Sequence, residues 1–449
     1  MKISEFINTD FKQYVHYDNT RNIPNLMDGQ KTTERKIIFA FIEDIGKQSI
    51  VVDKAGMRCA DISYYHHGAT SMIDTLINMN KDYVGTNNMP LFTKDGQFGT
   101  RMKNEASSER YISTKLSGVF NKLFEADDNH ILEYQYDRGN KIEPITYIPK
   151  LPLLLINGSK GTGNGYASNI FSYEINDIKQ AVEEVLTTGL VQNKLTPHFE
   201  GYEGNIVKDH ATGQVTYTGV IKRVSSTKLM ITELPPSMVL DKYKDILNNL
   251  MENTKDRKGD IIPAVIKDYE NESTEESWKF IIDCPRSTTA LSDEELLTLF
   301  KLVERDTETI ATWLPNGKIK RFKTIEDLIR TWVVIRLQYY EKRRLNKISR
   351  FDAELDWLQT KLKFIKWWNV ESVSLVTLNK KDLKDRVETE VTTNEDYINR
   401  LLSIQIRNLG KEEVADLEKE IAAIEADKKK LQSTTNTKMM QKEVAALNF

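Results

Sequence analysis

Side chains able to do chemistry are few in this sequence and widely spread. His66 and His67 are adjacent, and two imidazoles can suggest a metal ion. Neighbouring residues point in different directions in most backbones, so the pair does not make a ligand set. Residues 158–165, GSKGTGNG, are glycine-rich but lack the Gly-Lys-Ser/Thr ending of a Walker loop and the spacing of a dinucleotide fingerprint. They read as a tight turn where backbone closely approaches another group. No Gly-x-Ser-x-Gly elbow, zinc-protease helix or Cys/His cluster occurs. Cys59 and Cys284 are the only cysteines, far apart and without metal-ligand spacing. That suits a reducing cytoplasm and offers neither a disulfide framework nor a zinc site. Arg110 and Tyr111 are adjacent, and taken alone such a tyrosine is an ordinary surface or core residue.

Several domains are needed to hold these groups. At 449 residues the chain exceeds one ordinary core, and two to four domains is the natural division. No apolar run nears the roughly 20 residues of a membrane span. The most apolar stretch, Leu151 to Ile156, is far too short, and the opening MKISEFINTDFKQYV lacks a signal-peptide core. The expectation is a cytoplasmic protein with no membrane partner. Net charge is −3, which gives no global sign of nucleic-acid binding. Residues 301–350, however, hold 13 Lys/Arg against 6 Asp/Glu. Such a surplus fits a solvated helix face or a stripe that tracks phosphates, and charge alone does not decide.

Four zones follow from periodicity. In residues 1–165, Ile37, Ile38, Phe41, Ile42 and Ile45 make one helical apolar face, and Met72, Ile73, Leu76 and Ile77 make a second after Gly68. Two short helices followed by strand-like loops fit a helix-turn-helix with a wing. Residues 166–335 alternate strand and helix patterns: GNIVKD, GQVTYTGVIKRV and KLMITELP read as strands, and ALSDEELLTLFKLVE as a helix with Ser292 as N-cap and Glu295 reaching back. In residues 336–368, Leu345, Ile348, Leu355, Leu358, Leu362 and Ile365 form a heptad seam. Val414, Leu417, Ile421, Ile424 and Leu431 match it within residues 411–435. The two helices can pair antiparallel as a stalk with a tip at 369–410, followed by a tail at 436–449. An ordinary helical hairpin packed on a domain fits the same periodicity. The fold class expected is α+β and multidomain.

The order of motifs resembles the type IIA DNA topoisomerase family. RNIPNLMDGQKTTERK (21–36), YHHGATSMIDT (65–75), GQFGTR (96–101), ASSERYIS (106–113), EPITYIPKLPLLLINGSKGTGNGYAS (143–168), MITELP (230–235), PNGKIKRF (315–322) and VVIRLQYYEKR (333–343) follow its sequence of signatures. The resemblance runs from residue 21 to about 370. It is to the DNA-cleaving, A-type subunit; the Tyr-His-His-Gly form and GQFGTR look closer to the eukaryotic and tailed-phage branch than to bacterial gyrase, and a separate cleavage subunit of this length most resembles the medium subunit of T-even-like phage topoisomerases, which would put the protein in a host cell's cytoplasm. It implies a winged-helix DNA-gate domain at 1–165, an α/β tower at 166–335, a coiled-coil stalk, and a dimerising C-gate at the tip.

The resemblance also implies the chemistry. Tyr111 becomes the nucleophile that attacks phosphorus and joins the 5′ phosphate, conserving the bond energy for resealing. A free phenol titrates near 10, so forming phenolate at neutral pH costs on the order of 4 kcal/mol and needs help. Arg110 is implied to stabilise charge at the scissile phosphate, and His67 to bond it or move a proton. Arg21, Lys31, Arg35, Lys36 and His66 are implied DNA contacts. Thr162 stands where the family has an isoleucine that wedges between base pairs. Thr70 and Asp74 occupy positions where bacterial relatives meet cleavage-stabilising drugs. Thr32, Glu34 and Lys36 depart from the family pattern. No Asp-x-Asp-x-Asp element occurs, so no metal site is expected in this chain. Mg²⁺ and ATP are assigned to a separate toprim/ATPase subunit, with double-stranded DNA and a second copy of the chain as further partners. Relaxation and decatenation are expected rather than supercoiling, since no room follows residue 435 or so for a DNA-wrapping domain. The alternatives are a tyrosine recombinase or nickase, and a non-catalytic winged-helix scaffold.

Overall fold

A computed structural model describes residues 3–255, 261–375 and 377–449. The fold is α+β, and the chain divides into two compact units. The first comprises 1–126, 132–336 and 443–449; the second comprises 127–131 and 337–442.

The first unit opens with helices α1 (Ile3–Phe6) and α2 (Lys12–Asn22), joined by a π-helical turn at Ile7–Phe11. Helix α3 (Thr32–Ala40) starts where the Glu34 carboxylate reaches back to accept from the Lys31 N–H at 2.7 Å. Its expected apolar face is real: Ile37, Ile38 and Phe41 are fully buried. Helices α4 (Val52–Ile62) and α5 (Ala69–Asn80) pack against each other and against α3. Gly56 permits the α4–α5 approach, because a Cβ there would lie 2.3 Å from the Ile73 side chain. Strands β1 (Ile50–Val51), β2 (Phe92–Asp95) and β3 (Ser113–Leu116) form an antiparallel sheet in the order β1-β3-β2 beside these helices.

The rest of the first unit is richer in strands. Its largest sheet is antiparallel and pairs Val220–Arg223, Lys228–Glu233, Phe280–Asp283 and Asp268–Asn271 in that spatial order. Alternation in the second of these buries Leu229 and Ile231 against Phe280, Ile282 and Trp278. Helix Leu240–Met251 closes this core with Tyr243 and Leu247. Helix Asp293–Leu299 adds Leu296 and begins with the expected capping box, Ser292 with Glu295. Arg101 of the GQFGTR loop is tied to this sheet: its guanidinium donates to the buried Glu233 carboxylate and lies 5.4 Å from the Trp278 ring centroid.

The second unit is helical. Helix Ile325–Leu375 supplies one arm and Lys411–Ser433 the other. Cross-pairs Asp352–Lys428, Gln359–Glu425 and Lys366–Glu418 run in opposite chain directions, so the arms are antiparallel. Leu355, Leu358 and Ile365 meet Leu417 and Ile421 in the core, which also takes Val387 and Ile398 from helices Lys380–Glu390 and Glu395–Leu402. Leu345, expected on the seam, is 54% exposed and lies off it. Part of the basic surplus of 301–350 is engaged within the protein, while much of it stays exposed. Lys347 and Arg350 pair with Asp127, Arg344 pairs with Glu341, and the fully buried Arg336 donates to the Pro149 carbonyl. No helix among the described residues is long and apolar enough to cross a membrane.

Candidate active site

Tyr111 sits in the loop that enters β3. Backbone hydrogen bonds pin this loop from three sides: Tyr111 N–H to the Ser108 carbonyl, Asp53 N–H to that of Glu109, and Ser107 N–H to that of Gln97. Ile112, the next residue, is buried against Gly96, whose φ of +100° and 2.8 Å Cβ clearance leave no room for a side chain. The loop backbone is therefore fixed, yet the Tyr111 side chain is 78% exposed. Neither its phenol nor the exposed Arg110 guanidinium has a hydrogen-bond partner among the described residues. A phenol and a permanent cation thus stand side by side, open to a ligand from solvent.

A second group of functional side chains lies on α2 and the loop before α5. His67 Nε2 is 2.7 Å from Arg21 Nη1 and 2.5 Å from the Tyr17 hydroxyl. Arg21 also reaches the Tyr65 hydroxyl at 3.4 Å. Guanidinium can only donate, so Nε2 is the acceptor and the His67 ring is neutral here. Lost hydration, then the charges of Arg21 and His66, hold the His67 imidazole below its ordinary value. His66 turns away and pairs with Asp137 at 2.7 Å. The two histidines therefore serve different partners, as expected of neighbours in sequence. Helix α5 buries Met72, Leu76 and Asn80 and turns Thr70, Ser71 and Asp74 outward. No hydrogen bond or ring contact joins Tyr111 or Arg110 to the His67 group among the described residues.

Thr162 lies on an exposed hairpin of β4 (Ser159–Gly163) and β5 (Tyr166–Ile170), opposite Ala167. Its glycine neighbours make the close approach expected of this turn, and they make it within the protein. A Cβ at Gly161 would lie 1.8 Å from the Asn22 carbonyl oxygen, and one at Gly163 would lie 2.2 Å from Asn19 Oδ1. Both glycines let the hairpin press against α2. Lys31 braces the same hairpin, its ammonium donating to the Lys160 carbonyl at 2.7 Å. Arg321 donates to the Gly165 carbonyl at the hairpin turn, at 2.7 Å.

Arg35 and Lys36, expected as DNA contacts, are buried and engaged within the protein. They are 5% and 8% exposed. Arg35 is locked by the fully buried Asp28 at 2.8 Å and by the Gln30 carbonyl at 2.9 Å. Lys36 donates to the Ser63 carbonyl and to buried Glu143. Both charges are spent holding α3 to its neighbours. Tyr17, Asp18 and Asn19 went unnoticed in the sequence because each acts through a partner far away along the chain; Asp28 acts on Arg35 only seven residues on, but its burial gave no signal. Among the described residues no group of three or more His, Cys, Asp or Glu side chains is arranged to hold a metal ion.

The family model for the A-type subunits of DNA gyrase/topoisomerase IV matches residues 21–447. The chain is 32% identical over 444 residues to the mitochondrial DNA topoisomerase 2 of Dictyostelium discoideum, covering 96% of this chain and 34% of that protein. It is 34% identical over 366 residues to DNA topoisomerase 2 of Plasmodium falciparum (isolate K1 / Thailand), covering 80% and 26%. It therefore spans about a third or less of the length of these relatives. The crystal structure of the Plasmodium falciparum topoisomerase II DNA-binding, cleavage and re-ligation domain superposes with a TM-score of 0.86 at 30% identity, over 98% of this chain and 63% of that one. With the match running through nearly the whole chain, in sequence and in fold, this protein belongs to the A-type family of DNA gyrase and topoisomerase IV.

Proposed function

We propose that this chain is the DNA-cleaving and rejoining part of an ATP-dependent type IIA topoisomerase, acting by a transient double-strand break. The observation that carries the reading is Tyr111: a fully presented phenol on a loop whose backbone is pinned, with Arg110 beside it. The Tyr111 oxygen attacks phosphorus, one P–O bond forms, and the bond to the deoxyribose 3′ oxygen breaks. The phenol proton leaves and the 3′ oxygen takes one up. Resealing reverses each change, and no external oxidant or energy donor enters the cleavage step. Arg110 stabilises charge on the phosphoryl oxygens. Arg110→Ala should therefore bind DNA normally and cleave at least ~100-fold more slowly, by analogy with loss of one transition-state donor. Single-turnover cleavage of a labelled duplex reads this, and wild-type rates would remove Arg110 from the mechanism.

We read helices α3 to α5 with the β1-β3-β2 sheet as a winged helix, the strand-rich remainder to about residue 335 as a tower, and the antiparallel arms as a stalk whose tip at 369–410 dimerises. Two tyrosines related by a two-fold axis suit a staggered double-strand cut. When bound, Mg²⁺ supplies positive charge at the phosphate. We assign it, and ATP, to a separate toprim/ATPase subunit. Arg21, His67 and Lys31 are the DNA contacts we retain, with His66 beside them. Outward-facing Thr70 and Asp74 are the drug contacts we propose. Relaxation and decatenation are the proposed reactions. We also propose a likeness to the T-even-like phage medium subunit; the Tyr-His-His-Gly and GQFGTR forms support the wider eukaryotic and tailed-phage branch.

Thr162 is the proposed wedge, supported by its exposed place on a braced hairpin. Bending DNA sharply costs several kcal/mol, and an inserted apolar side chain localises that cost. Threonine is stiff like isoleucine but loses about 1–2 kcal/mol of apolar contact at ~0.8 kcal/mol per CH₂. Thr162→Ile should increase the bend and Thr162→Ala reduce it, read from the end-to-end distance of a doubly labelled bound duplex. Equal bending in all three proteins would exclude the wedge.

A further inference from the structure

Helix α2 carries two sets of contacts on consecutive residues. Asp18 accepts from the Asn164 N–H and from its side-chain amide, at 3.0 and 2.8 Å, and Asn19 donates to the Asn164 carbonyl at 3.1 Å. These bonds clamp the turn of the Thr162 hairpin, and the glycine contacts with Asn19 and Asn22 seat it closely. Trp313 fixes the same helix from another side, its indole N–H donating to the Asn19 carbonyl at 3.0 Å. One residue before Asp18, Tyr17 faces His67. Its hydroxyl is 2.5 Å from His67 Nε2, and the two rings stack with centroids 6.2 Å apart.

The His67 Nε2 lone pair is therefore met by two donors, the Tyr17 hydroxyl and the Arg21 guanidinium. With Nε2 accepting, the ring proton sits on Nδ1, which has no partner among the described residues and is available to donate. Arg21 is a cation and will turn to a phosphate when one arrives. Once it does, Tyr17 is the donor left on Nε2.

Resting on the cleavage reading above, we propose that Tyr17 is a positioning residue for His67: its hydroxyl and ring hold the imidazole with Nε2 accepting and Nδ1–H directed outward, on a helix that is clamped to the Thr162 hairpin. The consequence is mechanical. A hairpin seated in DNA and an imidazole aimed at the cleaved phosphate share one rigid mount, so displacement of one is felt by the other. The groups facing the imidazole are Tyr17 and Arg21 from α2, with Tyr65 and His66 from its own loop. Only the Tyr17 contact is removed by deleting one oxygen.

The test uses the full chain labelled with ¹³C-histidine, with the His67 signal assigned by its loss in His67→Gln. Removing a donor to the neutral ring makes protonation easier, so the His67 titration midpoint should rise in Tyr17→Phe. It should rise at least as far in Tyr17→Ala, which also loses the stack. In the complex with the toprim/ATPase subunit, Tyr17→Phe should cleave about 2–10-fold more slowly, as for loss of one hydrogen bond, with duplex affinity unchanged. The acid limb of its cleavage profile should move to higher pH. Unchanged His67 midpoints in both variants overturn the proposal, even where wild type forms its covalent adduct. Absence of any adduct in wild type would instead overturn the cleavage reading, a result the histidine titration cannot mimic.

Discussion

Tyr111→Phe is expected to form no covalent DNA complex while binding duplex within about twofold of wild type and unfolding within about 0.5 kcal/mol of it. The reasoning rests on where the side chain is. At 78% exposure, with no hydrogen bond to its phenol among the described residues, the hydroxyl contributes little to the folded state. The loop that carries it is held by backbone bonds to Ser108, Glu109 and Gln97, none of which the substitution touches. Only the nucleophilic oxygen is lost. The comparison is read on plasmid incubated with the proposed toprim/ATPase partner, then denatured in detergent. Adducts formed by the Phe variant would mean that another residue attacks the phosphate.

Arg35→Ala is expected to lower the stability of the first unit by about 3–5 kcal/mol, the loss typical of a buried ion pair stripped of one partner. Asp28 would be left fully buried with its charge facing, among the described residues, the N–H groups of Gln30 and Tyr147. This outcome differs in kind from the one that the sequence motif suggests, a folded protein that has lost one phosphate contact. Urea unfolding of the variant, followed alongside duplex affinity measured well below the transition, separates the two. Wild-type stability with weakened, less salt-dependent DNA binding would return Arg35 to the DNA surface.

Elements governed by local rules could be read from the sequence. Ser292 and Glu295 lie three residues apart and cap a helix with no help from the rest of the chain. Alternation in KLMITELP marked a strand because Leu229 and Ile231 share one buried face. The heptads at Leu355, Leu358, Ile365, Leu417 and Ile421 likewise announced two pairing helices, while Leu345 continued the pattern past its packing partners.

Long-range contacts were hidden. A motif lysine or arginine reads as a surface charge by default: nothing near Lys36 in sequence points to Glu143, and Asp28, seven residues before Arg35, does not announce that the pair is buried. Gly161 and Gly163 did signal close approach, but the object approached is the α2 backbone and Asn19, residues that lie some 140 positions earlier. Tyr17 gave no signal, since its partner His67 is 50 residues away. Tyr111 was a case between these: ordinary alone, it became legible only through the order of motifs around it.

Mapping the covalent complex tests the central claim most directly. Wild-type chain with the proposed toprim/ATPase partner would be trapped on end-labelled DNA, digested with protease and nuclease, and sequenced by mass spectrometry. The account predicts a single modified peptide, with a nucleotide remnant joined through its 5′ phosphate to Tyr111 and the partner strand ending in a free 3′ hydroxyl. A remnant on any other residue, or a linkage through the 3′ phosphate, would contradict it.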